Sequence, residues 1–225
     1  MTILVTGASR GIGKEVVKFF LENQDVIVIA VSRSPMDFTH PHLLHIQGDV
    51  RDENVIKECK RYLSEKNFAL DILVNNAGHL VHKPFESISK EEWYNVFETN
   101  VFAPFMWIKE LLAFLKKSPN AHIVNISSMG GITGTQKFPG LSAYSSSKGA
   151  LSILTECLAE ELKTHHISCN ALALGAVQTD MLASAFPNYK APLSPAEMAQ
   201  FIGWFAINGQ KFFNGKILPV AVSTP

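Results

Sequence analysis

The segment AYSSSKGA, residues 143–150, contains three side chains that could carry out chemistry at helical spacing. Ser145 and Lys148 match the Ser-x-x-Lys pattern of serine acyl-transfer enzymes, in which a hydroxyl attacks a carbonyl carbon. Tyr144 and Lys148 instead lie four residues apart, as a phenolic acid and a cation that could increase its acidity. Residues three and four apart share one face of a helix, so spacing alone leaves both chemistries open.

The acyl-transfer interpretation predicts further motifs that this sequence does not contain. Penicillin-recognising enzymes with Ser-x-x-Lys also carry Ser-Asp-Asn and Lys-Thr-Gly strings, and neither occurs in the 225 residues. The sequence therefore favours the Tyr144 and Lys148 pair. Ser145 is then a helix-start residue near the bound ligand.

The tyrosine needs a neighbouring charge to move protons near neutral pH, because its ordinary pKa is about 10. An ammonium about 4 Å from the phenol, at an effective dielectric constant of about 20, stabilises the phenolate by about 4 kcal/mol. This corresponds to roughly three pKa units, before the cost of burying the lysine is counted. We therefore expect Lys148 to lower the pKa of Tyr144.

A glycine-rich stretch, TGASRGIG (residues 6–13), follows the first apolar run and leads into a segment with helical periodicity. Its glycines allow a tight turn and a close approach to phosphate, whose charge would meet free N–H groups at the helix start. A P-loop fits poorly, because five residues separate Gly7 from Gly13 and Glu15 follows Lys14. The stretch therefore favours a dinucleotide over ATP.

The end of the second predicted strand indicates which dinucleotide is bound. Sites for NAD commonly place an acidic residue there on the ribose 2′-OH, whereas an arginine accommodates a 2′-phosphate. Here the stretch is Val31-Ser32-Arg33, without an acid, and Arg10 in the glycine-rich stretch offers a second cation. The sequence predicts a preference for NADP(H), with NAD(H) as the alternative.

Apolar runs alternate with segments of helical periodicity along the chain, which predicts an α/β fold. The architecture expected is a single domain over residues 1–225, with an open, mostly parallel sheet and helices on both faces. Pro104 should kink or break the helical segment 90–116. The predicted strands are 3–6, 26–32, 43–48, 71–76, 122–127, 167–174 and 216–222.

The composition argues against several other classes of protein. Twenty basic and twenty acidic residues cancel, so no overall field favours nucleic acid or an anionic membrane. No apolar run reaches the ~18 residues of a membrane span, and no signal peptide is predicted. Three widely spaced cysteines fit a reducing compartment, so a cytoplasmic location is expected. His79 and His82 form an H-x-x-H pair without a third ligand, so no metal is predicted.

Three motifs in order resemble the short-chain dehydrogenase/reductase family: TGASRGIG, NNAG at 75–78, and Tyr144-Ser-Ser-Ser-Lys148 after a strand ending in Ser127-Ser128. The resemblance covers nearly the whole chain. It implies a single-domain doubly wound Rossmann fold, with a seven-stranded parallel sheet in the order 3-2-1-4-5-6-7 that binds a nicotinamide cofactor. It also implies hydride transfer that interconverts a carbonyl and an alcohol, with a catalytically silent nucleotide-sensing or scaffold protein as the alternative.

The resemblance assigns Ser128, Tyr144 and Lys148 as the catalytic trio, with Tyr144 as general acid/base. It matches Asn100 to the asparagine that connects the lysine to solvent through water. Asn75 belongs to the segment that stabilises the sheet. Contacts to the dinucleotide are expected from Gly7, Ser9, Arg10, Gly11, Ile12, Gly13, Ser32, Arg33, Asp49, Val50, Asn76, Ala77, Gly78, Tyr144, Lys148, Gly175, Val177 and Thr179.

Two features concern the substrate and assembly. The segment between Thr179 and Ser194 is short, so we expect an open site for small apolar carbonyls or alcohols. Leu174-Gly175 replaces the Pro-Gly that the family usually carries after strand six. Aromatic residues are frequent in 190–215, and members of this family often associate through that region, so a homodimer or homotetramer is expected.

Overall fold

The computed structural model of the protein describes residues 1–22 and 25–224; residues 23, 24 and 225, which the predicted domain includes, lie outside it. Within the described chain, seven strands pair in parallel in the order β3-β2-β1-β4-β5-β6-β7. This confirms the predicted fold class and strand order. The strands are β1 (Thr2–Thr6), β2 (Ile27–Ser32), β3 (Leu43–Gln47), β4 (Ile72–Asn75), β5 (Ala121–Ser128), β6 (Ile167–Leu174) and β7 (Ile217–Val220).

Helices cover both faces of the sheet. Consecutive residues of β1 show why the strands are apolar throughout: Leu4 joins one buried cluster, whereas Ile3 and Val5 join the other. One cluster includes residues of α2, α4 and α5, and the other includes residues of α1 and α7. The helices are α1 (Gly11–Leu21), α2 (Glu53–Glu65), α3 (Lys90–Phe97), α4 (Ala103–Leu115), α5 (Ser142–Leu162), α6 (Asp180–Ala185) and α7 (Pro195–Asn208).

The order of the strands changes direction between β1 and β4. β2 and β3 lie on one side of this pair, and β5, β6 and β7 lie on the other. Chains leaving the carboxyl ends of these two strands go to opposite faces, and this separation opens a crevice at that edge. The glycine-rich stretch follows β1 and the NNAG segment follows β4. The topology therefore brings two of the sequence motifs to one place.

The helical segment 90–116 is interrupted, as Pro104 predicted. The interruption is a π-helical turn. Residues Glu98–Phe102 form this turn between α3 and α4. Pro104 lies in the first turn of α4, directly after the π turn, and has no N–H to continue the hydrogen bonds of that helical stretch. A π turn lets one helical stretch continue into the next with an altered register, and such turns are frequent at functional sites.

The described residues form no helix that is long and apolar enough to span a membrane.

His122 joins two strands to a helix inside the protein. Its Nδ1–H donates to the carbonyl oxygen of Ala206 in α7 at 2.9 Å, and its Nε2 accepts from the Asn170 amide in β6 at 3.0 Å. The ring is completely buried beside Phe205. Burial lowers the pKa of His122 from 6.5 to about 4, because the cation would lose its water. The fold therefore requires the neutral imidazole.

This requirement makes the stability depend on pH. Because the unfolded chain takes up a proton at His122 near pH 6.5 and the folded chain only near pH 4, the stabilisation is complete above pH 6.5 and decreases as the pH falls. The free energy of unfolding should be about 2 kcal/mol lower at pH 5 than at pH 8 from this residue alone. Urea denaturation of the wild type and His122→Gln at both pH values measures it.

His122→Gln should be less stable than the wild type at pH 8. Its free energy of unfolding should differ much less between pH 5 and pH 8. The exposed His165 provides the control, because His165→Gln should retain the wild-type difference. An equal pH dependence in His122→Gln and the wild type would contradict this interpretation.

Candidate active site

The turn between β1 and α1 requires glycine at its first positions. Gly7 and Gly11 have φ of +69° and +55°, in the left-handed region that favours glycine. A Cβ on Gly13 would lie 2.2 Å from the carbonyl oxygen of Gly7. Arg10 is the N-cap of α1 and makes no capping hydrogen bond with its side chain, and the first turn has no acidic residue. The first-turn N–H groups therefore suit an anion such as phosphate.

The NNAG segment is fastened to this turn by Thr6. Its Oγ1 accepts hydrogen bonds from the backbone N–H groups of Asn76 and Ala77, each at 3.1 Å. The Asn76 amide in turn donates to the carbonyl oxygens of Thr6 and Gly7 at 2.9 and 3.1 Å. Asn75 points into the sheet and donates to Asn125 at 2.8 Å. Sequence reasoning missed Thr6, although it is the first residue of TGASRGIG.

On the adenosine side, the predicted residues divide into buried and exposed groups. Ser32 is buried, and its hydroxyl donates to the Ser34 carbonyl oxygen at 2.8 Å and lies 2.9 Å from His45 Nε2. Arg33 is exposed. Val50 is buried, and its carbonyl oxygen accepts from the Trp107 indole at 2.9 Å. Of these three residues, Arg33 has the exposed side chain, which can change position when a ligand binds.

Asp49 is held by an arginine that sequence reasoning did not select. Arg51 Nε donates to Asp49 Oδ1 at 3.0 Å and Nη2 to Oδ2 at 2.9 Å, while Nη1 donates to Asn95 at 3.1 Å. These bonds lower the pKa of Asp49, and the charge of Arg33 adds to the effect. Two arginines therefore surround this carboxylate. The D-x-R spacing of Asp49 and Arg51, shortly after β3, is the sequence signal that could have identified Arg51.

Arg10 lies apart from these arginines. Its Nη1 is 3.8 Å from Asp180 Oδ2 at the start of α6, and both side chains are largely exposed. Thr179 is close to the same turn, since its Cγ2 would be 3.6 Å from a Cβ on Gly11. The sequence predicts that Arg10 and Arg33 reach one phosphate, whereas in this structure the Arg10 charge is directed at Asp180.

The remaining nicotinamide-side residues lie where the chain leaves β6. Gly175 packs against the end of the chain, because a Cβ there would be 2.5 Å from Ala221 Cβ, and its N–H donates to the Val220 carbonyl oxygen at 2.9 Å. Val177 is buried and pairs with Leu193. This segment is fixed by backbone contacts although leucine replaces the usual proline at 174.

Ser128, Tyr144 and Lys148 are brought together at the carboxyl end of β5. Ser128 ends that strand, and its Oγ accepts from the Gly130 N–H at 3.2 Å. Lys148 is buried in α5, donates from Nζ to the Ile126 carbonyl oxygen at 2.7 Å, and lies 5.8 Å from the centre of the Tyr144 ring. The sequence-predicted trio is therefore adjacent in space.

The neighbouring serines have structural roles. Ser127 is buried, and its hydroxyl donates to the carbonyl oxygen of Lys148 at 3.0 Å. Ser145 packs on Gly130, because a Cβ added to Gly130 would lie 2.9 Å from Ser145 Oγ. These positions support the preference for Ser128 over Ser127 and for the tyrosine over Ser145.

The pKa values of the pair differ from the sequence expectation. Burial lowers the pKa of Lys148 to about 8. Burial raises the pKa of Tyr144, and a hydrogen bond with Ser128 opposes this only in part. The prediction that Lys148 lowers the pKa of Tyr144 is wrong for this structure. Burial therefore disfavours the charged form of each group, and Lys148 keeps its charge only below about pH 8.

Asn100 lies in the π turn and is fully buried. Its Oδ1 accepts from the His79 N–H at 2.7 Å, and its Nδ2 donates to the His79 carbonyl oxygen and to Ser147 Oγ, each at 2.9 Å. A Cβ on Gly78 would lie 3.6 Å from Asn100 Oδ1 and 3.7 Å from Lys148 Nζ. Asn100 thus joins the loop after β4 to α5 beside the lysine. Both of its amide hydrogens are used by protein groups.

The two histidines of the H-x-x-H pair have different surroundings. Burial lowers the pKa of His79, and the charges of Arg33 and Arg51 lower it further. His82 is exposed, and its Nε2 lies 3.2 Å from the carbonyl oxygen of Pro139. Within residues 1–22 and 25–224, no group of three or more His, Cys, Asp or Glu side chains is arranged to hold a metal.

The segment after Thr179 forms a helix that sequence reasoning did not predict. Met181 of α6 reaches the site, since its Cε would be 3.9 Å from a Cβ on Gly78. The residue after α6, Phe186, contacts His82 and Phe138, with ring centres 5.8 and 5.5 Å apart. The sequence predicts an open entrance, whereas aromatic contacts here join the loops that follow β4, β5 and β6.

Comparison with known proteins agrees with this geometry. A family model described as short chain dehydrogenase matches residues 1–190. The chain belongs to the short-chain dehydrogenase family, and it is an NAD(P)-dependent oxidoreductase that acts on small molecules. The resemblance inferred from the motifs is confirmed.

Two curated relatives are of similar length. The 3-oxoacyl-[acyl-carrier-protein] reductase FabG of Chlamydia pneumoniae is 30% identical over 197 residues, covering 84% of this chain and 78% of the relative. The cyclopentanol dehydrogenase of Comamonas testosteroni is 33% identical over 189 residues, covering 80% and 74%.

Solved structures include relatives with either cofactor. A mutant 4-hydroxyisoleucine dehydrogenase complexed with NADH and succinate is 25% identical, with a TM-score of 0.88 over 99% of this chain and 98% of that one. NADPH-bound carbonyl reductase from chicken fatty liver is 28% identical, with a TM-score of 0.85 over 97% and 95%.

Proposed function

We propose that the protein is an NADP(H)-dependent oxidoreductase that interconverts a small carbonyl compound and its alcohol by hydride transfer. The observation that carries the proposal is a buried ammonium, Lys148, beside Tyr144 and Ser128 at the crevice edge of the sheet. The glycine-rich turn meets the NNAG segment at the same edge. Structural needs alone do not explain a buried lysine without a carboxylate.

The proposed roles follow from the chemistry of each group. The nicotinamide supplies a hydride to the carbonyl carbon, or accepts one from the alcohol, when it is bound. Ser128 donates a hydrogen bond to the substrate oxygen, and Tyr144 transfers its hydroxyl proton to that oxygen. Below pH 8, Lys148 is charged and stabilises the negative charge that develops on the phenol. Asn100 holds the loop that carries Gly78 against α5.

The residues around the crevice fit the dinucleotide. The first-turn N–H groups of α1 would bind its phosphates, and Asp49 would accept a hydrogen bond from the adenine amine. Thr179 and Val177 would border the nicotinamide. The remaining contacts that we propose are Gly7, Ser9, Gly11, Ile12, Gly13, Ser32, Val50, Asn76, Ala77, Gly78 and Gly175.

Replacing the tyrosine tests the proton transfer. Tyr144→Phe should slow carbonyl reduction about 10²–10⁴-fold, the usual contribution of general acid catalysis. NADPH should still bind, because the phenyl ring retains the shape of the site. Turnover by NADPH oxidation and binding by fluorescence titration measure the two quantities.

The neighbouring serine provides the control. Ser145→Ala should retain wild-type turnover, because Ser145 packs on Gly130 rather than on the trio. Activity retained by Tyr144→Phe, or lost by Ser145→Ala with cofactor binding intact, would refute the assignment.

The preference for NADP(H) is supported by charge at the end of β2. Asp37 is paired with Lys14, and the stretch from Val31 to Arg33 has no acid that would repel a 2′-phosphate. Arg33 is exposed and close enough to Asp49 to affect its pKa. We therefore assign the 2′-phosphate to Arg33 and give Arg10 a secondary role, because its charge faces Asp180.

Removing this charge should change cofactor selectivity. Arg33→Ala should weaken NADPH binding about 10-fold or more and leave NADH binding nearly unchanged, because an arginine–phosphate pair contributes roughly 1.5–3 kcal/mol. Arg10→Ala should have a smaller effect. Dissociation constants for both cofactors, measured at one ionic strength, report the change.

Arg61→Ala is the matched control, because Arg61 is an exposed arginine of α2 that pairs with Glu65. It should bind both cofactors as the wild type does. An equal loss of NADH and NADPH affinity in Arg33→Ala would contradict the assignment.

We also propose that residues 1–225 act as one dinucleotide-binding and catalytic domain in a homodimer or homotetramer. Exposed aromatic side chains on and after α7, Phe201, Trp204 and Phe212, support association. Three free cysteines support a reducing, cytoplasmic location.

A further inference from the structure

Three aromatic rings connect both sides of the crevice. Phe186 follows α6, Phe138 lies in the loop after β5, and His82 lies in the loop after β4. We name these three residues the aromatic bridge. The Phe186 ring packs edge-on against Phe138, with an interplanar angle of 75°, and at a tilt of 34° against His82. All three loops leave the carboxyl ends of their strands, at the same edge as Ser128.

The bridge begins close to the reacting groups. Met181, five residues before Phe186, approaches Gly78, and the Lys148 ammonium approaches the same point. His82 is four residues beyond Gly78 along the chain. A ligand oxygen beside Tyr144 would therefore have α6 on one side and the loops after β4 and β5 on the other. The bridge lies where these two sides meet.

One side of the bridge is fixed by polar contacts. His82 Nε2 lies 3.2 Å from the Pro139 carbonyl oxygen, and the Lys83 N–H donates to the Gly140 carbonyl oxygen at 3.1 Å. Gly140 has φ +84°, and a Cβ there would lie 2.5 Å from His82 Cδ2. The loops after β4 and β5 are thus joined closely enough to exclude a side chain at that glycine.

The other side closes through ring contacts. The Phe186 N–H bonds to Leu182 of its own helix, and its carbonyl oxygen accepts from Tyr189. The interactions of Phe186 with His82 and Phe138 are ring packing. Rings can separate and repack at a smaller cost than a hydrogen-bonded pair of loops, so opening of the bridge would cost least on the α6 side.

The charged side chains beside the bridge are bonded to protein groups. Lys83 is paired with Glu92, and the Lys137 ammonium donates to the Ile132 and Thr135 carbonyl oxygens at 2.7 and 2.9 Å. These are the charged residues next in sequence to His82 and Phe138, and both ammonium groups are already used. A charged group placed against the two phenylalanine rings would lose water without gaining a hydrogen bond from them.

We propose that the aromatic bridge is a specificity element that closes over a compact, uncharged ketone or aldehyde and disfavours long acyl thioesters and carboxylates. This inference rests on the proposed function and adds its substrate class. Apolar contact with Phe186 and Phe138 would stabilise a small ring or branched chain. A long chain would keep the rings apart and lose their mutual packing.

Phe186→Ala tests the proposal in two measurements. The first is the binding of cyclopentanone to the protein saturated with NADP⁺, a complex that cannot react, titrated by saturation-transfer NMR. The variant should bind about 10-fold more weakly, the usual scale for losing part of a hydrophobic pocket. Phe186→Leu, which keeps an apolar contact, should recover most of the affinity.

The second measurement compares kcat/KM for cyclopentanone and for a 3-oxodecanoyl N-acetylcysteamine thioester with NADPH. Phe186→Ala and Phe138→Ala should each shift the ratio about 10-fold toward the thioester. Phe105→Ala, an exposed phenylalanine on α4, should leave the ratio unchanged.

The outcomes separate the two proposals. Weaker cyclopentanone binding in Phe186→Ala supports the bridge even if no variant turns over, a result that would refute only the proposed function. Wild-type protein that does not bind cyclopentanone, or equal binding and equal ratios in all variants, would overturn the bridge.

Discussion

The burial of one ammonium group is the constraint on which the site depends. Lys148 is almost fully enclosed, and none of the ion pairs among the described residues includes it. Its Nζ is bonded to a single backbone carbonyl oxygen, that of Ile126. A charge in this position is unfavourable, and its pKa falls to about 8 as a result. At neutral pH the lysine is still mostly charged, because its pKa lies only about one unit above that pH.

The surrounding chain keeps this group in place. A Cβ on Gly131 would lie 2.7 Å from the backbone of Lys148, so the turn after β5 presses directly on α5. On the opposite side, Asn100 links His79 to Ser147 through three hydrogen bonds. The π turn places that amide between the two elements. The lysine is therefore positioned by a glycine on one side and a buried asparagine on the other.

Much of the fold and of the site could be predicted from the sequence, because both faces of each central strand are buried. Apolar runs such as ILVT and HIVNIS marked the strands, and the motif order fixed their neighbours. The trio was predicted from the family resemblance, with Ser128 at the end of a strand and Tyr144 and Lys148 four residues apart in a helical segment. The α6 helix was missed, since its sequence, DMLASA, has only six residues.

The electrostatics were predicted less well than the positions. Sequence spacing gives the distance between Tyr144 and Lys148 on a helix, but not how deeply α5 buries them. Burial raises the pKa of Tyr144, opposite to the expected direction, and lowers the pKa of Lys148 below that of the phenol. Arg51 was also missed, because the sequence does not show that its guanidinium joins Asp49 to Asn95, which is distant in sequence. Burial depth and contacts between residues distant in sequence can be read only from the tertiary structure.

The central claim is that carbonyl reduction uses the charged form of Lys148. Its most direct test is the pH dependence of single-turnover reduction by protein saturated with NADPH, from pH 6 to 9.5. The account predicts a rate that falls as the pH rises through about 8, where Lys148 loses its proton. A rate that stays constant to pH 9.5 would contradict it, because the reaction would then proceed without the ammonium.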